Sequence, residues 1–358
     1  MRHRSRPRRS AQALGPALCL LLLGSGLAAC GDDDGIEAGD VVPARPDAQI
    51  TAGANEATIA LPTGNLVVQV GDPVQDISAG ETRQLEKLTA TEGEVFVPVS
   101  WHYDAATLGS YARFLETSST PTVDLIVDGA SYRIPPPDTA TQGQESFFVT
   151  VSGSGERPAL EVEFDGVVQT ADLATGEVDP GAAAPLYGLS PTPAEPVDCG
   201  GEVRVSRKPT VSQPSFSCTM TRPLLLPYAG DSWAADGHSW LALTVETALG
   251  RWDEATADLT SGAVYYPTTV DGAFTLGGAK AVRVIRDPGR GTCPDIGNQN
   301  CSAVFHVLFD VGEVTPGNLV VKQTYQLGRT STWGAEETRE QIELKVTDRT
   351  QLPKPARD

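Results

Sequence analysis

Short runs of β-branched and aromatic residues, broken by Gly, Pro and Asp, recur along the chain from about residue 50 to residue 350. In EVFVPVSWHY, residues 94–103, Val95, Val97, Val99, Trp101 and Tyr103 fall on one side at a period of two. That is the pattern of a strand with one face in a core. TVDLIVDG, ESFFVTVSG, ALEVEFDG, WLALTVE, AVRVI, SAVFHVLFDVG, NLVVKQTYQL and EQIELKVT repeat the pattern. Val-Asp-Gly-Ala occurs at 127–130 and again at 270–273 between strand-like residues. Both copies read as tight hairpins, because Asp-Gly readily takes the positive φ such turns require. One helix is expected at Asp104–Glu116, where Leu108, Tyr111, Ala112 and Leu115 share a face and Asp104 is placed to cap. Long helices do not alternate with the strands, so the pattern predicts an all-β fold and excludes a doubly wound one.

The runs also repeat. FVPVSW at 96–101 matches WLALTV at 240–245, and Leu108-Gly109-Ser110-Tyr111 matches Leu249-Gly250-Arg251-Trp252. VDGASY at 127–132 matches VDGAFT at 270–275, and the strand ending Gly155-Glu156 matches the one ending Gly312-Glu313. The displacements are 144, 141, 143 and 157, in order along the chain. The jump falls where the second copy carries GTCPDIGNQNC, which reads as an insertion closed by its own disulfide. Two tandem β-sandwiches are therefore expected, at 50–184 and 197–350, joined by a Pro-rich linker at 185–196 and followed by a polar tail at 351–358. Gly93-Glu94-Val95-Phe96-Val97-Pro98-Val99, with the Asp-Gly hairpin and the paired later strands, resembles the immunoglobulin-like domains of secreted actinobacterial lipoproteins, the DUF4352-type family in particular. The resemblance spans about half of each domain and implies a fold, with no catalytic residues to carry over.

The first 29 residues have a different character. Arg2, Arg4, Arg6, Arg8 and Arg9 precede an apolar stretch built on Leu18 and Leu20–Leu23, and small residues follow. This is the plan of an export signal peptide, and its apolar run is short for a membrane span. Leu27-Ala28-Ala29-Cys30 resembles the lipobox of bacterial lipoproteins. The resemblance implies diacylation of Cys30, cleavage before it, and a palmitate-type anchor on the extracytoplasmic face of the cell membrane. Two acyl chains hold stably where one binds reversibly. Arg8-Arg9 admits a twin-arginine route, but Pro-Arg-Arg-Ser-Ala lacks the expected phenylalanine, so Sec and Tat export both stay open. Residues 30–49 (CGDDDGIEAGDVVPARPDAQ) are acidic and aperiodic and are expected to be a flexible tether, with Asp32-Asp33-Asp34 solvated.

The formal charge is -19, and loss of the five signal arginines takes it to -24. So acidic a chain has no footprint for nucleic acid and does not suit anionic lipid or wall polymers. Residues 50–190 hold 20 acids and 5 bases, whereas residues 195–350 hold 19 and 14. The second half therefore has basic groups (Arg204, Arg207, Lys208; Arg283, Arg286, Arg290) available to meet the first half or a partner. With Cys19 in the signal and Cys30 lipidated, Cys199, Cys218, Cys293 and Cys301 remain. Four cysteines outside the membrane imply two disulfides with three possible connectivities. Proximity favours Cys199–Cys218 and Cys293–Cys301, contributing about 3 and about 2.5 kcal/mol on the loop-closure model. A four-cysteine zinc site needs closer paired spacings than these and is rejected.

Catalytic signatures are missing: H-E-x-x-H, G-x-S-x-G and S-x-x-K do not occur. His102 is expected on the exposed side of its strand, His238 in the turn DGHSW, and His306 as a hydrogen-bonded sandwich histidine. Glu161 and Glu163 alternate on one strand face, where a solvated surface outweighs a cation or glycosidase pair. Asp231, Asp236 and Asp253 are expected around His238. The sequence thus points to a non-catalytic, lipid-anchored module without cofactor or metal, binding a protein or envelope component. Alternatives are a solute- or metal-binding lipoprotein serving a transporter, and a hydrolase with an unrecognised site.

Overall fold

The period-two alternation becomes antiparallel sheet nearly everywhere it occurs. The computed structural model describes residues 36–139, 143–189, 196–208, 215–293, 300–312, 317–334 and 337–354. The signal, Cys30, the Asp32–Asp34 run and positions 190–195 of the expected linker lie outside the described residues. Residues Ile36–Asp358 form one compact unit.

The first sheet is ordered β1 (Val41–Pro43), β9 (Glu145–Ser152), β6 (Glu94–Asp104), β3 (Gly64–Val70), β2 (Glu56–Leu61). It faces a second, ordered β12 (Val178–Asp179), β11 (Val167–Asp172), β10 (Ala159–Phe164), β7 (Thr122–Val127), β8 (Ala130–Ile134). Val97, Val99 and Trp101 from one sheet and Leu125, Leu160 and Val162 from the other share a core. A third sheet is ordered β13 (Pro196–Asp198), β15 (Phe216–Thr221), β19 (Ser239–Leu249), β24 (Cys301–Val311), β23 (Arg283–Arg286), with β16 (Leu224–Leu226) also on β19. It packs on a fourth, ordered β14 (Arg204–Val205), β26 (Gln341–Gln351), β25 (Asn318–Trp333), β21 (Gly262–Leu276), β20 (Trp252–Ala255), with β22 (Ala279–Lys280) on β21. The order β9-β6-β3 recurs as β24-β19-β15, and β11-β10-β7 recurs as β26-β25-β21. The fold is all-β, with one sandwich topology used twice.

The two Val-Asp-Gly-Ala segments differ. At 127–130 the expected hairpin forms: Val127 pairs with Ala130, and Asp128 and Gly129 have φ of 50° and 81°. Both central residues of a type I′ turn need that positive φ. At 270–273 there is no turn. Asp271 and Gly272 lie inside the 15-residue β21, opposite Thr324 and Gln323. A Cβ on Gly272 would come within 3.0 Å of the Phe274 and Phe305 rings, so this glycine makes room for aromatic packing. The hairpin falls instead at Gly277-Gly278, where Leu276 pairs with Ala279.

The helix expected at Asp104–Glu116 is a 3₁₀ segment, Ala105–Phe114, kinked at Gly109. With three residues per turn, positions i and i+3 eclipse. Tyr111 and Phe114 are therefore the buried pair, and Ala112 is exposed. Residues 36–49 are not a free tether. Val41, Val42 and Pro43 pair with Val149, Phe148 and Phe147, and Val42 and Ala44 are buried. They join Ile77, Ala90, Phe96 and Phe148 in a layer over the outer face of the first sheet. The short strands β4 (Asp76–Ile77) and β5 (Leu88–Thr89) belong to the same cover, so β6 is buried on both faces up to His102. The expected linker begins inside another 3₁₀ segment, Gly181–Gly188, whose Ala183 and Leu186 are buried against Ala60. The C-terminal tail starts later than expected, because Leu352 is buried and its N–H bonds to Gly317.

The sandwiches meet through side chains and backbone. Tyr111 and Phe114 pack with Leu224, Leu226, Ala242 and Leu308 of the second half. The N–H of Gly230 donates to Phe114 O, and the N–H of Glu116 donates to Gly230 O, both at 2.7 Å. The hairpin of β17 (Tyr228–Ala229) and β18 (Ser232–Trp233) then reaches into the first sandwich. Tyr228 lies edge-on to Phe164 at 5.6 Å, and Trp233 Nε1 donates to Phe164 O at 3.0 Å. Arg283 spans the same seam, donating to Glu116 at 2.7 Å and to Asp231 at 3.2 Å.

Candidate binding cleft

The register of β6 and β9 sets Trp101 opposite Glu145 and Ser100 opposite Ser146 at one end of the first sandwich. Trp101 Nε1 donates to Glu145 Oε2 at 2.9 Å, fixing that carboxylate, and Phe147 meets the indole edge-on at 4.8 Å. Ser100 and Ser146 hydroxyls lie 2.7 Å apart. The backbone N–H of Arg83 bonds to Pro43 O and brings the covering segment to the same end. A cleft of about 300 Å³ results, with Val41, Pro43, Pro135, Trp101 and Phe147 as apolar wall and Arg83, Gln144 and Glu145 as polar groups. Among the described residues nothing pairs with the Arg83 guanidinium or the Gln144 amide. A second cleft of about 380 Å³ adjoins it, shares Pro46 and Gln144, and is lined by Asp47, Gln49, Thr51 and Gln69.

A cleft of about 330 Å³ on the second sandwich has part of its polar lining already engaged. Its Arg207 is bonded twice to Glu254, and Tyr265 OH donates to Arg339 O at 3.1 Å. Groups already satisfied internally offer a ligand little, since each new hydrogen bond must replace one already made.

The other sequence candidates fall in structural settings. His102 is exposed, as its register requires. His238 Nδ1 lies 2.6 Å from Asp310, not among the three aspartates expected around it: Asp231 pairs with Arg283 and buried Asp253 with Arg251. His306 is buried on the face of β24 that meets the first sandwich. Its Nδ1 lies 3.0 Å from Thr244 Oγ1, its Nε2 lies 3.5 Å from Asp287, and Phe114 packs edge-on against its ring. Burial, then the charge of Arg113, holds the His306 pKa below its ordinary value, against the pull of Asp287. Glu161 and Glu163 are exposed, and Glu163 is used locally, accepting from Gly166 N–H and Thr122 OH. The disulfides join Cys199 to Cys218 and Cys293 to Cys301.

Trp101 was readable as an inward strand position. Arg83, Gln144 and Glu145 carried no sequence signal that would gather them, because their proximity comes from strand register and from the covering layer. No family model matches the chain, and a search of curated proteins returns no relative.

Proposed function

We propose that this is a non-catalytic binding protein, anchored by lipid on Cys30 at the extracytoplasmic face of a bacterial membrane, whose first sandwich docks a protein or envelope component. The observation that carries the docking reading is the cleft beside Trp101, where an apolar wall stands next to Arg83 and Gln144, which are unpaired among the described residues. An apolar side chain on that wall would gain about 1.5–3 kcal/mol, and a carboxylate on the exposed Arg83 up to about 1 kcal/mol. Association costs several kcal/mol, so a cleft of this size acts as one anchor within a broader interface. That favours a macromolecular partner over a small solute. The apolar filling between the sandwiches also supports this reading over a solute pocket at their seam.

The test is a photo-crosslinker at Gln144 on intact cells, with one at Glu161 on the solvated sheet face as control. Capture specific to position 144, reduced at least tenfold by Arg83→Glu, is the expected result. Equal capture from both positions, or none lost with Arg83→Glu, would discard the cleft. Separately, Cys30→Ala is expected to abolish acyl labelling, and unchanged labelling would remove the anchor.

A further inference from the structure

The interior of the second sandwich contains polar groups that its fold leaves unanswered. Asp348 on β26 is 2 % exposed, and its Oδ1 has no hydrogen-bond partner among the described residues. Gln323 lies two residues from Val321, the cross-strand partner of Asp348, on the same inward face, and neither atom of its buried amide has a partner among the described residues. An unpaired buried polar group destabilises the fold, because the water it gave up is not replaced. Beside Asp348 is the Cys199–Cys218 disulfide, also buried, held by pairing of β13 with β15 and by the Cys199 N–H bond to Cys218 O at 3.0 Å. The two Sγ atoms and a carboxylate oxygen of Asp348 all lie within 4.8 Å of one another. Gly201 makes the close approach possible: a Cβ there would stand 2.1 Å from Asp348 Oδ1.

We propose that Cys199, Cys218 and Asp348 form a binding site for a thiophilic divalent cation, opened when their disulfide is reduced. The disulfide and the cation are alternative occupants of one donor set. A dithiol supplies two electrons and two protons to the S–S bond and becomes a disulfide itself. The cation then displaces both thiol protons, and the proton of Asp348 if that carboxyl holds one, leaving two thiolates and a carboxylate around the charge. Two sulfurs and one oxygen are a donor set suited to Zn²⁺ or Co²⁺, with the fourth position left to water. This site differs from a four-cysteine arrangement: Cys293 and Cys301 take no part.

The experiment uses the whole chain carrying Cys293→Ser and Cys301→Ser, so that the remaining disulfide thiols come from one pair. It is reduced with a phosphine, which is removed before Co²⁺ is added. One Co²⁺ per chain, with thiolate-to-cobalt charge transfer and the intense d–d bands of a tetrahedral site, is expected in the reduced form and not in the oxidised form. Asp348→Asn should weaken the reduced site at least tenfold, and Cys199→Ala should abolish its spectrum. Equal binding by the Asp348→Asn chain, or no charge transfer on reduction, would overturn the proposal. So would a reduced chain that loses its β-sheet circular dichroism and does not regain it with Co²⁺.

Discussion

The two sandwiches use one topology and protect it differently. The first has no disulfide among its described residues and lays an extra apolar layer over its outer face, from Val42, Ala44, Ile77, Ala90, Phe96 and Phe148. The second has longer strands, up to 16 residues in β25, a disulfide in its core, and buried Thr247, Gln323, Tyr325 and Asp348 among the aliphatics. Both bury polar groups, Thr150 and Gln169 in the first among them, but the first adds an apolar layer where the second adds a covalent link. A repeated chain order constrains which strands pair; it leaves each copy to close its own core.

The seam is where that contrast is most easily broken. Phe114→Ala removes a ring packed against both Leu308 and His306, and is expected to cost about 3–5 kcal/mol, read by urea unfolding. If the seam is as important as its packing suggests, the melt should also split into two transitions. Replacing Cys199 and Cys218 together by Ser should cost about 3 kcal/mol through loss of loop closure. Hydrogen exchange should show that loss in the second sandwich while the amides of β6 and β9 stay protected.

The paired motifs sharpen the comparison on a smaller scale. Asp128 has positive φ, and its Oδ2 accepts from the N–H of Ser154 at 3.0 Å. Asp128→Ala is expected to cost about 1–2 kcal/mol, from left-handed strain and the lost bond, in a chemical denaturation series. Asp271→Ala, at the matching motif inside β21, should stay within about 0.5 kcal/mol as an exposed substitution.

Acid should act on the second sandwich through His306. Its folded pKa lies below 6.5, so the unfolded chain binds the proton more readily. The stability it contributes is whole above the unfolded value and is lost as pH falls from about 6.5 toward the folded value, at a slope of at most about 1.4 kcal/mol per pH unit. Urea midpoints measured across that window should fall in the parent chain and flatten in His306→Gln. Asp348 slopes the other way, because burial raises its pKa above 3.8 and stability is lost as pH rises through the folded value. The smallest effect belongs to the surface pair Arg133–Asp124 on the first sandwich, where Arg133→Ala should leave the urea midpoint almost unchanged, and the more so in high salt.

The reach of the sequence can be judged from single residues. Alternation in EVFVPVSWHY marks the inward face of β6, but nothing in it shows that Phe96 is covered too. That cover comes from residues 36–49, whose composition reads as tether, and from residues 72–92, which show no strand-like alternation. Val-Asp-Gly-Ala is a turn at 127–130, where the flanking runs are short, and mid-strand at 270–273, where β25 continues the pairing past it. Disulfide partners were favoured by proximity alone, whereas Asp348 meets Cys199 and Cys218 from about 130 residues away.

By itself the sequence determined what local physics controls: the all-β class, from side chains alternating at period two; the repeated order of strands; and the acidic balance of the first half. Tertiary structure alone decided what depends on distant segments meeting. That includes the outer layer, the insertion of Tyr228 and Trp233 into the first sandwich, the seam around His306, and the grouping of Arg83, Gln144 and Glu145 beside Trp101. The reason is that strand alternation fixes which side of its own strand a residue faces, while the neighbours on that side are set by register and packing between strands far apart in the chain.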